Sequence, residues 1–425
     1  MNKYVSTRRI FLQKGLTLLA CAPTIPTFLD QTVLALSNPL DQSLTAQPTG
    51  KDGKILVVLQ LSGGNDGLSM VVPYGDDAYY RARPAIAHPA NTVLKINDYI
   101  GLNGKLTALK DLYDNGELTI VQGVGYPNPN RSHFRSMDIW QSGEPDRDVA
   151  TSGWIGRYFD NACPGCDPRI GVSIGETLPT AMQGERVMPL SFGRPESYRY
   201  HGQDVRDYSK LNQTSANDPP QNGIAGNITP SSQLDFLHRT AMDAQVSSDQ
   251  ILRLTQSHRT STQYPGSEFG VGLKTIAAMI AGGLPTRVYY VSLGGFDTHA
   301  AELPRHDALM TQLSQGLGAF WADLKAQGND DRVMMMTFSE FGRRVQANAS
   351  QGTDHGAAAP LFVMGKNLNQ GVVGRHPSLT DLDQGDLRFG VDFRSVYATI
   401  LQNWLETPSK PILGDQFPTW NLVKA

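Results

Sequence analysis

The sequence is poor in cysteine, in charged residues and in long apolar runs. It has 3 cysteines among 425 residues, and charged side chains make up 18% of the chain, below the roughly 25% of an average protein. Beyond residue 37 no apolar run is long enough to cross a bilayer, so we expect no transmembrane segment in the mature protein. The net charge of −3 and the lack of a basic block there argue against nucleic acid as a partner.

The first residues have the pattern of an export signal. The paired Arg8 and Arg9 precede a short apolar run that proline residues interrupt. A basic segment followed by such a run is typical of a twin-arginine signal peptide. We therefore expect residues 1–37 to be the signal, 38–53 to be a linker, and the twin-arginine translocase to carry the protein to the periplasm or the cell exterior.

Two cleavage sites fit this signal. Ala35-Leu36-Ser37 has small residues at the positions that a signal peptidase requires. Cys21 follows Leu18-Leu19-Ala20, which resembles the site at which a lipoprotein is cut and acylated. The sequence leaves both alternatives open, and either cut removes Cys21 as a free thiol.

The other two cysteines lie close together in the segment CPGC. Cys163 and Cys166 favour a local disulfide, because an exported protein meets an oxidising environment. The alternative is a redox-active pair, but the flanking residues lack the apolar strand and helix pattern of a thioredoxin-like site.

Apolar strands alternate with helical patterns along the chain. The segments GKILVVLQLS and DRVMMMTFSEFG are near-continuous apolar runs, as in parallel strands buried on both faces. Residues 118–125, 286–295 and 359–365 have the same pattern, and helical patterns cover 107–116, 272–284, 309–328 and 392–405. The alternation predicts an α/β fold with a mostly parallel central sheet covered by helices on both faces.

The composition changes between residues 199 and 233. This segment is polar, rich in proline, glycine, serine and asparagine, and without periodicity. Such a composition is typical of a long surface loop or lid. We therefore predict a single α/β domain over 54–425 with this insertion.

Polar side chains follow four of the predicted strands, at the sheet edge where α/β proteins bind ligands. These residues are Asn65 and Asp66; Asn130, Arg131, Ser132 and His133; Asp297 and His299; and Glu340, Arg343, Asp354 and His355.

Asp297 and His299 form an Asp-x-His pair directly after a predicted strand. In an extended segment, residues two positions apart point to the same face. Carboxylate and imidazole together suit Zn²⁺, Mn²⁺ or Fe²⁺. The alternative is that Asp297 or Thr298 caps the following helix.

Ser132 precedes a predicted helix. It is either an N-cap, a common role for serine, or a nucleophile at a helix N-terminus, where free N–H groups stabilise negative charge. Arg131, Arg135 and Arg343 are candidate partners for phosphate or sulfate oxygens.

Several motifs together resemble a known bacterial family. The segments LSGGNDGLSMVVPYGD, GFDTHA, SEFGRR, DHG and DFRSVYATIL are similar to those of twin-arginine-exported proteins known as domain-of-unknown-function family 1501. That family is remotely similar to the alkaline phosphatase and sulfatase superfamily. The resemblance implies an alkaline phosphatase-like α/β fold with divalent metal at the sheet edge.

The resemblance also implies roles for individual residues. Asp66 corresponds to a metal-binding aspartate after the first strand, and Ser132 to a nucleophile that opens a helix. The remaining implied metal ligands are Asp297, His299, Glu340, Asp354 and His355. Glu340-Phe341 stands where the superfamily has Asp-His, so one histidine is missing.

Two functions follow from this resemblance. The first is an exported hydrolase of phosphate or sulfate esters that uses a divalent metal (Zn, Mn, Fe or Ca), with Ser132, Arg131 and Arg343 as catalytic residues and a small-molecule or polysaccharide ester as substrate. The alternative is a non-catalytic binding or assembly protein with a degenerate site, which the missing histidine motivates.

Overall fold

This computed structural model describes residues 53–147, 150–163, 167–196, 198 and 247–424. The predicted signal, most of the linker, Cys21, Cys166 and the polar insertion lie outside the described residues. Cys163 is bonded in a disulfide. None of the helices in the described ranges is long and apolar enough to cross a membrane.

Strands occur along the whole described chain. They are β1 (Ile55–Ser62), β2 (Val71–Val72), β3 (Leu94–Lys95), β4 (Gly101–Leu102), β5 (Leu118–Gly125), β6 (Gly171–Ile174), β7 (Leu190–Phe192), β8 (Val288–Gly294), β9 (Val333–Phe338), β10 (Arg343–Ala347), β11 (Thr353–His355), β12 (Ala359–Met364), β13 (Gly371–Val373), β14 (Leu382–Asp383), β15 (Asp386–Leu387) and β16 (Val391–Asp392).

Helices lie between these strands. They are α1 (Gly67–Met70), α2 (Asp77–Ala82), α3 (Thr107–Asp114), α4 (His133–Ser142), α5 (Trp154–Ala162), α6 (Glu268–Ala281), α7 (Glu302–Gln327), α8 (Phe393–Thr399) and α9 (Lys410–Leu413). A further helical segment covers 247–257, α8 continues as a π-helical turn (Ile400–Trp404), and short 3-10 turns cover Ala90–Thr92, Pro168–Ile170 and Thr180–Met182.

The main sheet has nine strands in the order β13-β5-β12-β9-β1-β8-β6-β7, with β16 also paired to β5. Six of its pairings are parallel, and only the pairings of β12 with β5 and with β9 are antiparallel. The predicted α/β fold with a mostly parallel sheet is therefore confirmed.

The prediction for residues 359–365 was wrong in direction. The apolar run indicated a parallel strand, but β12 runs antiparallel between β5 and β9. Burial on both faces makes any central strand apolar, whichever way it runs. As a consequence β12 begins at the edge where β1, β5, β8 and β9 end.

The sheet separates two apolar cores. Alternate residues of β1 enter them: Ile55, Val57 and Leu59 face one core, and Leu56 and Val58 face the other, as the period of two in a strand requires. Helices α3, α6 and α7 cover the first core, and α4, α5 and α8 cover the second. This layering leaves the carboxyl edge of the sheet free for the polar connections that follow.

Candidate metal centre

One oxygen of Asp297 is the centre of the polar cluster at this edge. Around Oδ1 lie Nη2 of Arg343 at 2.7 Å, Nε2 of His299 at 3.1 Å, Nε2 of His355 at 3.3 Å and Nε2 of His133 at 3.6 Å. The ligand atoms of His133, Asp297 and His355 all lie within 4.8 Å of one another. His299 adjoins this group, with its Nε2 2.9 Å from Nε2 of His355.

The Asp-x-His pair has the geometry that its spacing predicts. Asp297 and His299 are exposed while the intervening Thr298 is buried, so the two side chains share one face. The alternative helix-cap role is wrong, because α7 has Ala301 at its N-cap and no side-chain cap hydrogen bond.

Each imidazole of the cluster has its other ring nitrogen bonded to an acceptor. Nδ1 of His133 lies 2.8 Å from Oε1 of Glu340, and Nδ1 of His299 lies 3.3 Å from Oδ1 of Asp354. Nδ1 of His355 lies 2.8 Å from the carbonyl oxygen of Arg131. Because these partners accept, we assign the ring proton to Nδ1, which leaves each Nε2 with a free lone pair facing the cluster.

The charges around the cluster favour an ionised aspartate and a neutral histidine. Partial burial raises the pKa of Asp297, but the hydrogen bond and positive charge of Arg343 outweigh it and hold that pKa below its usual value. Burial lowers the pKa of His355, and the charge of Arg343 lowers it further. An anionic carboxylate beside a neutral imidazole is the form in which both bind metal.

Arg343 holds the loops of the site together. Its side chain is fully buried and donates to the carbonyl oxygens of Gly64 (2.6 Å), Phe296 (3.0 Å) and Thr353 (2.9 Å), as well as to Asp297. The predicted contact between Arg343 and an ester oxygen does not agree with this burial. We assign Arg343 a positioning role instead.

A glycine lets two of these loops approach closely. Gly63 has a φ of 122°, and a Cβ on it would lie 2.5 Å from the backbone nitrogen of Asp297. Its own N–H donates to Oε1 of Glu340 at 2.9 Å. A side chain at this position would therefore separate the turn after β1 from the turn that carries Asp297.

Arg131 also differs from its predicted catalytic role. Its guanidinium is paired with the buried Asp386, with Nε 2.8 Å from Oδ2. At the same time its backbone carbonyl accepts from His355. The side chain thus fixes the loop whose backbone orients a metal-ligand candidate.

Asp66 lies in a separate buried ion pair. Both of its carboxylate oxygens accept from Arg83, which is equally buried, at 2.5 and 2.9 Å. Burial raises the pKa of Asp66, but Arg83 outweighs it and the pKa falls well below its usual value. Asp66 therefore neutralises Arg83 and does not belong to the group around Asp297.

Glu302 connects this ion pair to the strand that carries His355. Its Oε2 accepts from the hydroxyl of Thr353 at 2.5 Å. Burial and the neighbouring Asp66 carboxylate raise the pKa of Glu302 to about 9, so it is neutral at pH 7. This contact ties the start of α7 to β11.

Ser132 occupies the N-cap position of α4, but its side chain makes no cap hydrogen bond. The residue is exposed and directly precedes His133. The N-cap interpretation therefore holds for its position and not for its hydroxyl, which stays available to a ligand.

Sequence reasoning gave His133 less weight than the structure does. From the sequence His133 is either a ligand or a base, and it is not among the metal ligands that the resemblance implies, whereas Glu340 and Asp354 are. In the structure both carboxylates contact the Nδ1 atoms of imidazoles, and His133 joins Asp297 and His355 in the group whose ligand atoms lie within 4.8 Å of one another. The available signal was chemical: His133 follows a strand at the same edge as Asp297.

Comparisons with known proteins agree with the motifs. A search of curated proteins finds no match. Similar solved structures include the lipoteichoic acid synthase LtaP from Listeria monocytogenes (11% identity, 93% of this chain and 82% of that chain, TM-score 0.33) and the PsFucS1 sulfatase from Pseudoalteromonas sp. (13%, 91% and 74%, 0.37). A third is an alkaline phosphatase superfamily protein from Vibrio parahaemolyticus (10%, 84% and 72%, 0.32).

Likenesses with TM-scores this low transfer no activity to the present chain. The comparison with protein-family models, in contrast, shows the family of this chain. The model of the protein family of unknown function DUF1501 matches residues 53–409, which is most of the chain and includes every residue of the Asp297 cluster. The chain belongs to the DUF1501 family.

Proposed function

We propose that this protein is an exported, metal-dependent hydrolase of phosphate or sulfate esters. The observation that carries the proposal is the convergence of imidazole nitrogens on Asp297. Nε2 of His133 is buried and has no hydrogen-bond partner among the described residues, and Nε2 of His299 and of His355 lie 2.9 Å apart. Lone pairs that meet in this way repel each other unless a proton or a cation lies among them.

The donor set fits a divalent transition metal. A tetrahedral ion with bonds of about 2.0–2.1 Å spaces its ligand atoms about 3.3 Å apart. The distances from Oδ1 of Asp297 to the three imidazole Nε2 atoms, and between the Nε2 atoms of His299 and His355, range from 2.9 to 3.6 Å. Imidazole nitrogen suits Zn²⁺ and Fe²⁺, and carboxylate oxygen suits Mn²⁺, whereas a set rich in nitrogen does not suit Ca²⁺, which prefers oxygen ligands.

His133, Asp297 and His355 would hold the ion, with His299 beside them. When bound, a divalent ion supplies a Lewis acid that stabilises the negative charge on a reacting ester oxygen. The surrounding residues fix the orientation of the three imidazoles, through contacts of Glu340, Asp354 and the carbonyl of Arg131 with their Nδ1 atoms. The buried side chain of Arg343 fixes the carboxylate of Asp297 by donating a hydrogen bond to its Oδ1.

Ser132 supports ester chemistry at this position. Its exposed hydroxyl lies at the N-terminus of α4, where the helix dipole and free N–H groups stabilise an anion. Attack by Oγ on phosphorus or sulfur would release the alcohol, which takes up a proton, and leave an ester on Ser132. Hydrolysis of that ester would return the hydroxyl and free phosphate or sulfate.

The experiment that tests the proposal combines metal analysis with turnover. Protein purified without chelator is assayed against aryl phosphates and sulfates, beside Ser132→Ala and a Asp297→Ala/His355→Ala double variant. We expect stoichiometric metal in the wild type and in Ser132→Ala, and loss of metal and turnover in the double variant. His376→Asn is the matched control, because His376 bonds to the carbonyl of Pro377 and packs its ring against Tyr99, and within the described residues it makes no hydrogen bond to the Asp297 cluster.

Two outcomes would contradict the proposal in different ways. Absence of metal from all preparations would remove its basis. Stoichiometric metal without hydrolysis of any ester would favour the binding or assembly protein.

Export is tested separately. The double variant Arg8→Lys/Arg9→Lys should stay in the cytoplasm, and unchanged export of this variant would contradict the twin-arginine route.

A further inference from the structure

Phe134 is the most exposed large apolar side chain in the described part of the chain. Its exposed fraction is 90%, whereas Tyr99, Val271 and Phe389 reach only 36–42%. Single apolar residues on a surface are common, so exposure alone indicates no function. The location of Phe134 is more informative, because it lies in the first turn of α4, directly after the metal-ligand candidate His133.

The helix itself gives no reason for an aromatic residue at this position. The buried residues of α4 are Ser136, Ile139, Trp140, Gln141 and Ser142. Phenylalanine is a weaker helix former than alanine or glutamate. Within the described residues the ring of Phe134 stacks on no other aromatic ring, although His133 beside it contacts the rings of Phe341 and His355.

We infer that Phe134 packs against the organic part of the ester and determines which esters the protein accepts. The inference rests on the proposed function. If the phosphate or sulfate group lies at His133 and Asp297, the alcohol part must extend outward from the buried side of the site. Ser132 and Phe134 directly flank His133 in the chain and both are exposed, so the inference places the alcohol part beside them.

The chemistry of Phe134 specifies the kind of alcohol. An exposed phenyl ring offers a flat apolar face, which stacks on an aromatic ring or on the apolar face of a sugar ring. It offers little contact area to a short alkyl group and no hydrogen bond to an anionic one. The substrate class is therefore an ester of a ring-bearing alcohol, whose ring binds through apolar contact with the phenyl face and not through hydrogen bonds.

The test compares esters that differ only in this ring. Phenyl and methyl phosphate, and phenyl and methyl sulfate, are assayed with the wild type, Phe134→Ala, Phe134→Leu and Phe134→Tyr. We expect the ratio of kcat/KM for the phenyl ester to that for the methyl ester to fall about tenfold in Phe134→Ala, which corresponds to about 1.4 kcal/mol. Phe134→Tyr should keep the ratio, Phe134→Leu should give an intermediate one, and metal content should not change.

A binding measurement keeps this inference separate from the proposed function. Calorimetry on protein that carries Ser132→Ala, with and without Phe134→Ala, gives the dissociation constants of phenyl and methyl phosphate without cleavage. Discrimination that Phe134→Ala abolishes, without turnover in the wild type, would support the inference and contradict hydrolysis. Turnover with an equal effect of Phe134→Ala on both esters would overturn the inference and leave hydrolysis intact.

Two further results would overturn the inference. The first is that neither ester binds to the wild type. The second is that Phe134→Ala changes the oligomeric state of the protein without changing the phenyl to methyl ratio, because the ring would then contact a second copy of the chain.

Discussion

Nε2 of His299 lies 2.9 Å from Nε2 of His355, and both nitrogens lie within 3.3 Å of Oδ1 of Asp297. Each ring directs its Nδ1 to an acceptor on the protein. The imidazoles therefore present lone pairs to one another, an arrangement that a shared cation stabilises. This relationship depends on the buried charges that hold the imidazoles and the carboxylate in place.

Glu340 should control metal affinity without being a ligand. Glu340→Gln removes the charge that orients His133, and we expect metal affinity to fall by about 10- to 100-fold. Competition with a chelator of known affinity measures the change. Glu117→Gln is the control, because Glu117 is a buried carboxylate that instead pairs with Lys325. Equal affinities in the two variants would contradict the assigned role.

Asp386 should affect the metal site through Arg131. Asp386→Asn weakens the ion pair that fixes the backbone carbonyl to which His355 is bonded. We expect metal affinity to fall about tenfold while the protein remains folded by circular dichroism. Unchanged affinity in a folded variant would show that the loop keeps its position without this pair.

The buried pair of Asp66 and Arg83 should be important for stability and not for metal binding. Arg83→Met leaves the Asp66 charge buried without a partner, and we expect the free energy of unfolding to fall by about 3–5 kcal/mol. Arg388→Met is the control, because the pair of Arg388 with Asp381 is exposed and is worth at most about 1 kcal/mol. Denaturant titration compares the two, and a similar loss in both would contradict the assignment.

Glu302 should make stability fall as the pH rises. Its pKa in the folded protein, about 9, lies above the ordinary value of 4.5, so the folded state keeps a proton that the unfolded state loses between these values. The proton-linked stability is complete below about pH 4.5 and declines up to about pH 9. Glu302→Gln removes this dependence. Between pH 5 and pH 8 the free energy of unfolding of the wild type should therefore fall by more than about 1.4 kcal/mol relative to that of the variant. Parallel stability curves for the two proteins would contradict a neutral Glu302.

Sequence patterns identified the parts of this protein that depend on local chemistry. Apolar runs gave the strands of the sheet, and the spacing of Asp297 and His299 gave their common face. The direction of β12 was not available from its own residues, since a central strand is apolar in either direction. It depends on which neighbours the strand meets, and that choice is made by the whole sheet.

The roles within the cluster depended on contacts over long distances in the chain. Glu340 is a metal-ligand candidate by residue type, but it is 207 positions from the imidazole that it holds. Arg343 and Arg131 looked like anion binders, yet one is buried beneath the loops and the other pairs with Asp386. A residue type indicates what a side chain is able to bind, and the fold decides which partner reaches it first.

The most direct test is the metal content of the protein exported through its native signal and purified without chelator, measured by elemental analysis. The double variant Asp297→Ala/His355→Ala and the control His376→Asn are measured in parallel. We predict a stoichiometric transition metal in the wild type and in the control, and none in the double variant. A wild type without metal, or a double variant that keeps it, would contradict a metal centre at Asp297.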